Sequence, residues 1–85
     1  VEKHIILGVH ITNRLKHAGE IQNLFSEYGC NIKTRLGLHE VERVCSANGL
    51  VILEMHGDEA RCFELADKLA AVVGVEVQRM VFDHD

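Results

Sequence analysis

Proline and tryptophan are absent from these 85 residues, and the aromatics amount to one tyrosine and three phenylalanines. With 47% of the residues hydrophobic, the apolar content is mostly aliphatic, as in a compact folded chain and unlike the compositions that stay disordered. An excess of positive charge is also missing. Nine Lys and Arg against 13 Asp and Glu leave a net charge of −4, and the basic residues are scattered, so no direct contact with nucleic acid is expected. No apolar run approaches the roughly 20 residues of a membrane helix. The short apolar stretch after Lys3 lacks the length and cleavage site of a signal peptide. Cys30, Cys45 and Cys62 are odd in number and have no CxxC spacing, which argues against a disulfide framework and fits a reducing compartment. The expectation is a cytoplasmic protein without membrane attachment. Nucleophile elbow, P-loop, paired-carboxylate and HExxH patterns are missing as well. A His39–Cys45 pair has nothing in the sequence to orient it as base and nucleophile, so no enzyme is expected.

What is present is organised around residues 48–57, Asn-Gly-Leu-Val-Ile-Leu-Glu-Met-His-Gly. A turn dipeptide opens the most continuously apolar run and a glycine closes it. Leu50 to Leu53 are apolar at both parities, the pattern of a central strand with something packed on each face. Before it, 4–11 has apolar odd positions, Ile5, Leu7, Val9 and Ile11, against His4, Ile6, Gly8 and His10, and reads as a strand. Thr12 or Asn13 can cap a helix over 13–28 with Ala18, Ile21, Leu24 or Phe25, and Tyr28 as its stripe, ended by Gly29. Residues 30–38 alternate Cys30, Ile32, Thr34, Leu36 and Leu38 against Asn31, Lys33, Arg35 and Gly37, an edge strand with a polar second face. Cys30 on the apolar parity reads as a small buried residue, and so does Cys62. Arg35, on the polar face of this edge strand, could pair with an anionic ligand but reads first as a solvated edge charge. Residues 39–47 form a charged connection. After the central strand, Asp58 caps a second helix with Phe63, Ala66, Leu69, Ala70 and Val73 on its stripe, Gly74 ends it, and Val75, Val77 and Val81 mark a last strand before a tail at 83–85.

The order is βαββαβ in a single domain, 1–85. Right-handed crossovers and burial of both helices on one face give an α+β, ferredoxin-like arrangement: a four-stranded antiparallel sheet with two helices on one face and the first and third strands central. The other face then presents Ile6, Met80 and Phe82, with either Leu50 and Ile52 or Val51, Leu53 and Met55. A patch of that size predicts a homodimer or tetramer that covers this face or extends the sheet edge. Glu54 within the central strand needs a partner, from a neighbouring strand or another subunit.

Residues 21–32, Ile-Gln-Asn-Leu-Phe-Ser-Glu-Tyr-Gly-Cys-Asn-Ile, resemble the first-helix-to-second-strand stretch of ACT domains, small regulatory modules that bind amino acids or other small ligands between subunits. Residues 35–39, Arg-Leu-Gly-Leu-His, with Gly49, Gly57 and Gly74-Val75, resemble more narrowly the ACT-like proteins described as regulators of an iron-only hydrogenase system. The resemblance implies a small-ligand site near Asn13, Arg14 and His39. Asn13-Arg14 match the turn that follows the first strand in amino-acid-binding ACT domains, whereas Leu15 and Lys16 stand in place of its proline and glycine. The chain is also similar in topology to the C-terminal domain of the nickel-responsive repressor. His39 and Cys45 have the spacing of part of its metal motif, with Gly37 where a further histidine stands. By topology, one sheet end gathers His10, His39, Cys45 and the Asn13-Arg14 turn, while the other gathers His4, His56 and His84. Imidazole and thiolate suit nickel, zinc or copper, so His10, His39 and Cys45 form an alternative, metal-binding reading. No cofactor is specified by the sequence.

Overall fold

In β1 (Lys3–Ile11) every second side chain, Ile5, Leu7, Val9 and Ile11, is buried, as the alternation predicts. The computed structural model describes residues 3–12, 14–38 and 49–83. Within them β1 is followed by helix α1 (Arg14–Glu27), a single 3-10 turn (Gly29–Asn31), β2 (Ile32–Leu38), β3 (Gly49–Met55), helix α2 (Glu59–Ala70) and β4 (Val75–Asp83). The strands form one antiparallel sheet in the order β2-β3-β1-β4. The two strands with the longest apolar runs, β1 and β3, are thus central, and the arrangement is the ferredoxin-like one.

The core lies between the sheet and the helices. From the sheet it takes the odd residues from Ile5 to Ile11 of β1 with Leu53 and Met55, from α1 Ile21 and Phe25 with Tyr28 just past its end, and from α2 Cys62, Leu65, Ala66 and Leu69, closed by Val72. Each large aliphatic side chain or phenylalanine among them contributes on the order of 1.5–3 kcal/mol by leaving water. The cations Arg61 and Lys68 lie over the Tyr28 ring at 4.2 and 5.2 Å and join α2 to the end of α1. Helix α2 starts where Asp58 accepts a 2.9 Å hydrogen bond from the Ala60 amide, satisfying a donor that the first turn leaves open. Both turn glycines are obligatory. Gly57 and Gly74 have φ of 86° and 83°. A Cβ there would stand 3.0 Å from Asn31 Nδ2 and from the Thr12 carbonyl oxygen, respectively, in a region of backbone space that side chains disfavour.

Several expectations change. A β-bulge separates Ile32 from Thr34, and because one extra residue reverses the parity of everything after it, Ile32 packs against the core while Leu36 and Leu38 turn to the opposite face. Arg35 moves with them, to the helix side, where its guanidinium lies 4.6 Å from the centre of the Phe25 ring. Cys30 is exposed in the 3-10 turn, not buried, since the strand begins two residues later than its alternation predicts; Cys62 is buried as expected. Ala18 is exposed. The stripe of α2 slips at its end: the helix stops at Ala70, so Val72 enters the core and Val73 is left 76% exposed. Asp83 belongs to β4, paired with Lys3, so the strand runs into what reads as a tail.

Candidate functional site

Register fixes what the two sheet faces carry. Gly8 pairs with Ile52 and Gln78, Ile6 with Glu54 and Met80, and His10 with Leu50 and Glu76, while Thr34, Leu36 and Leu38 stand opposite Glu54, Ile52 and Leu50. These even-numbered residues form the face that no described helix covers, and they settle the earlier choice in favour of Leu50 and Ile52. Leu36, Leu38, Met80 and Phe82 are each between 43% and 53% exposed.

Glu54 sits on this face and has the partners its position demands. It accepts 2.9 Å hydrogen bonds from His4 Nε2 and Thr34 Oγ1, with Lys33 Nζ at 4.0 Å. The His4 bond, then the Thr34 bond, hold its carboxyl below the usual range, because both favour the ionised form. The three partners come from adjoining strands of the same subunit, so no second subunit is needed to satisfy the carboxylate.

Two clefts open at opposite ends of the sheet. The first, about 630 Å³, is lined by Lys3, His4 and Ile5, by Lys33, by Glu54, Met55 and His56, and by Gly57, Glu59 and Cys62. It is ionic, and its charges are already matched: Lys3 pairs with Glu59 at 3.0 Å and Glu54 is held as above. Burial, then the nearby Asp58 carboxylate, push the Cys62 thiol up, so it is a packing group and not a reactive thiolate. His4 and His56 do share this end of the molecule, as the topology predicts.

The second cleft, about 460 Å³, lies between α1 and the β2–β3 half of the sheet. Ala18, Ile21, Gln22 and Phe25 line it from the helix, Arg35, Gly37 and Leu38 from β2, Gly49, Leu50 and Val51 from β3, and Ile11 from the end of β1. It is mostly apolar, with Gln22 and the Arg35 guanidinium as its polar groups. An apolar pocket with few, fixed polar groups is the usual form of a small-molecule site. Ile11 and Thr12 lead up to the Asn13-Arg14 turn, and Leu38 and Gly49 flank residues 39–48, so the described chain next to the predicted site residues lies at this end of the sheet.

Of the predicted ligand residues, Arg14 is the first residue of α1, its side chain lying outside the described atoms, and Asn13 and His39 lie outside the described residues. The same holds for Cys45 in the metal set. His10 is exposed at the end of β1, on the open face opposite Leu50 and Glu76. Among the described residues, no three His, Cys, Asp or Glu side chains stand close enough together to hold a metal ion. No described helix is long and apolar enough to cross a membrane. Sequence reasoning missed Gln22 and Phe25 as cleft residues, and it weighed Arg35 as a partner for an anion on the polar strand face; the parity reversal at the β2 bulge brings Arg35 to the helix side instead.

No protein-family model matches the sequence, and no curated protein matches it. Solved structures do match its fold. The uncharacterised protein TM1266 from Thermotoga maritima superimposes with a TM-score of 0.81 at 23% identity, over 96% of this chain and 100% of that one. CPII, a nitrogen regulatory PII-like protein from Thiomonas intermedia K12 whose structure holds ADP, AMP and bicarbonate, superimposes with a TM-score of 0.57 at 15% identity, over 98% of this chain and 93% of its own. At these identities the likeness is one of fold, and it covers nearly the whole of each chain.

Proposed function

We propose that this chain is a non-enzymatic regulatory module that self-associates and binds a small organic ligand in the cleft between α1 and the β2–β3 half of the sheet. The observation that carries the reading is the cleft itself: about 460 Å³ of mostly apolar space with one guanidinium fixed at its wall by the Phe25 ring. A stacked arginine is pre-organised to pair with a carboxylate or phosphate, while Ile21, Phe25 and Val51 offer a surface for an apolar or aromatic portion. A small anion with a flat or apolar body is the ligand class that matches. Asn13, Arg14 and His39 are the further residues assigned to the site, since the chain on either side of them leads into the cleft.

The fold shared with a protein whose structure holds ADP, AMP and bicarbonate makes these the first ligands to test, with free amino acids beside them because of the ACT-like stretch at 21–32. Titration calorimetry of the unmodified protein and of Arg35→Ala decides the matter. The reading expects one of these ligands to bind and the variant to bind it roughly 10-fold more weakly or worse, the loss of a charge-assisted contact. No binding across the series, or equal binding by the variant, contradicts it.

A narrower role, regulation of an iron-only hydrogenase system, is supported by residues 35–39, Gly49, Gly57 and Gly74-Val75 alone. It predicts altered hydrogenase activity in host cells lacking the chain; unchanged activity removes it. The metal reading retains His10, His39 and Cys45. Metal analysis of the purified protein and of a His39→Ala/Cys45→Ala variant tests it, with metal expected only in the former.

A further inference from the structure

Gly8 stands in the middle of β1, a strand flanked by β3 and β4, where a glycine weakens the strand and has no side chain to pack. Nothing among the described residues requires it. Its φ is not among the positive ones, and a Cβ added there would meet no atom nearer than the Gln78 carbonyl oxygen at 3.9 Å, an ordinary contact. By register it belongs to the open face, bracketed by Ile6 and His10 along β1 and by Ile52 and Gln78 on the adjoining strands. The result is a gap in side-chain cover at the centre of this face, with Ile6 and Ile52 on two sides of it and His10 and Gln78 on the others. A strand glycine that its own fold does not explain marks the close approach of something from outside.

We propose that the occupant is a second copy of this chain, stacked sheet face to sheet face, with Ile52 of each copy seated in the gap over Gly8 of the other. The inference rests on the self-association proposed above and specifies its surface. Gly8 and Ile52 are paired across β1 and β3, so a two-fold axis along the strands and midway between them exchanges the two positions, and one contact is made twice, as an isologous interface requires. The size is sufficient. A face of four strands, the shorter of which have 7 residues, has a footprint of roughly 440 Å² at the usual rise and strand spacing. With side-chain relief a stack of two removes on the order of 1,200 Å² from water, enough for a specific interface. His4 with Glu54 near one end and His10 with Glu76 at the other supply a polar rim around Ile6, Leu36, Ile52 and Met80. Addition of a strand at either edge leaves all of this face uncovered, and at β2 the bulge and Lys33 oppose it.

Sedimentation velocity at high micromolar concentration, with circular dichroism to confirm folding, tests the placement on the unmodified chain, Gly8→Val and Gly8→Val/Ile52→Ala. The unmodified chain should associate. Gly8→Val should be folded yet associate roughly 10- to 100-fold more weakly, as overpacking a close contact implies, and the double variant should recover part of the loss. If Gly8→Val does not fold, Gly8→Ala, whose methyl has the room just described, is read by the same criterion. A valine or alanine variant that associates as the unmodified chain does overturns the face-to-face placement and leaves self-association standing. A monomeric unmodified chain overturns both. A double variant with no recovery overturns the seating of Ile52.

Discussion

Leu7 and Ile6 are neighbours in β1, yet the two sheet faces they belong to obey different rules. On the helix side, Leu7, Val9, Leu53 and the inner residues of α1 and α2 are withdrawn from water within one subunit, and the charged groups near them serve to clamp elements together: Arg79 pairs with Asp67 and lies over the Phe63 ring, joining β4 to α2. On the other side, residues of the same apolar type stand half exposed, and the charged ones are arranged around them. A fold of this length can close only one face with two helices. The contrast teaches that hydrophobicity alone does not place a residue in the core; what lies opposite the strand does.

The largest expected effect breaks the helix-covered side. Leu53→Ala should cost about 2–5 kcal/mol through lost transfer energy and an unfilled cavity, read as a urea midpoint, with a similar loss at every protein concentration. A cost under about 1 kcal/mol would contradict its place in the core.

Next come Leu36→Ser and Phe82→Ser on the open face. For an associating protein the unfolding midpoint rises with concentration, and these variants should abolish that rise because each loses on the order of 1.5–3 kcal/mol of apolar burial at the interface. At low concentration, where subunits are separate, their stability should stay within about 0.5 kcal/mol of the unmodified chain. A large loss at low concentration would show that the face is part of the subunit's own core.

Asp58→Ala sharpens the same contrast from the covered side. Loss of the cap should cost about 0.5–2 kcal/mol in thermal or urea unfolding while association is unchanged. The smallest effect belongs to Glu54. Its carboxyl lies below the ordinary value of 4.5 in the folded chain, so its contribution is present above that value and is lost as pH falls through the folded pKa. Glu54→Gln should flatten the fall in stability between neutral pH and the region below 4.5, as measured by urea titrations at each pH. An unaltered pH profile would mean that the His4 and Thr34 bonds do not persist in solution.

Much of this molecule is legible in its residues. The parity of β1, the Asp58 cap, the apolar run of β3 and the topology that follows from them are local or pairwise signals, and the structure has them all. The β2 bulge is not legible, because Lys33 and Thr34 are acceptable strand residues and neither proline nor glycine marks the irregularity; with it go the outward turn of Leu36 and Leu38 and the inward turn of Arg35. The slip at Val72 and Val73 has the same character, since it depends on where α2 stops and not on its period. For the site, topology predicts at which end of the sheet Asn13, Arg14 and His39 belong, but the wall formed by Gln22, Phe25 and Arg35 depends on contacts between distant elements. Gly8 is the extreme case: its sequence context is that of any strand residue, and only the space around it gives it a meaning.

The central claim is that the open face is covered by a second copy. Sedimentation equilibrium of the unmodified chain from low to high micromolar concentration tests it most directly. The account predicts a fitted mass that rises toward at least twice the subunit mass, whereas a mass of one subunit across the whole range would contradict it.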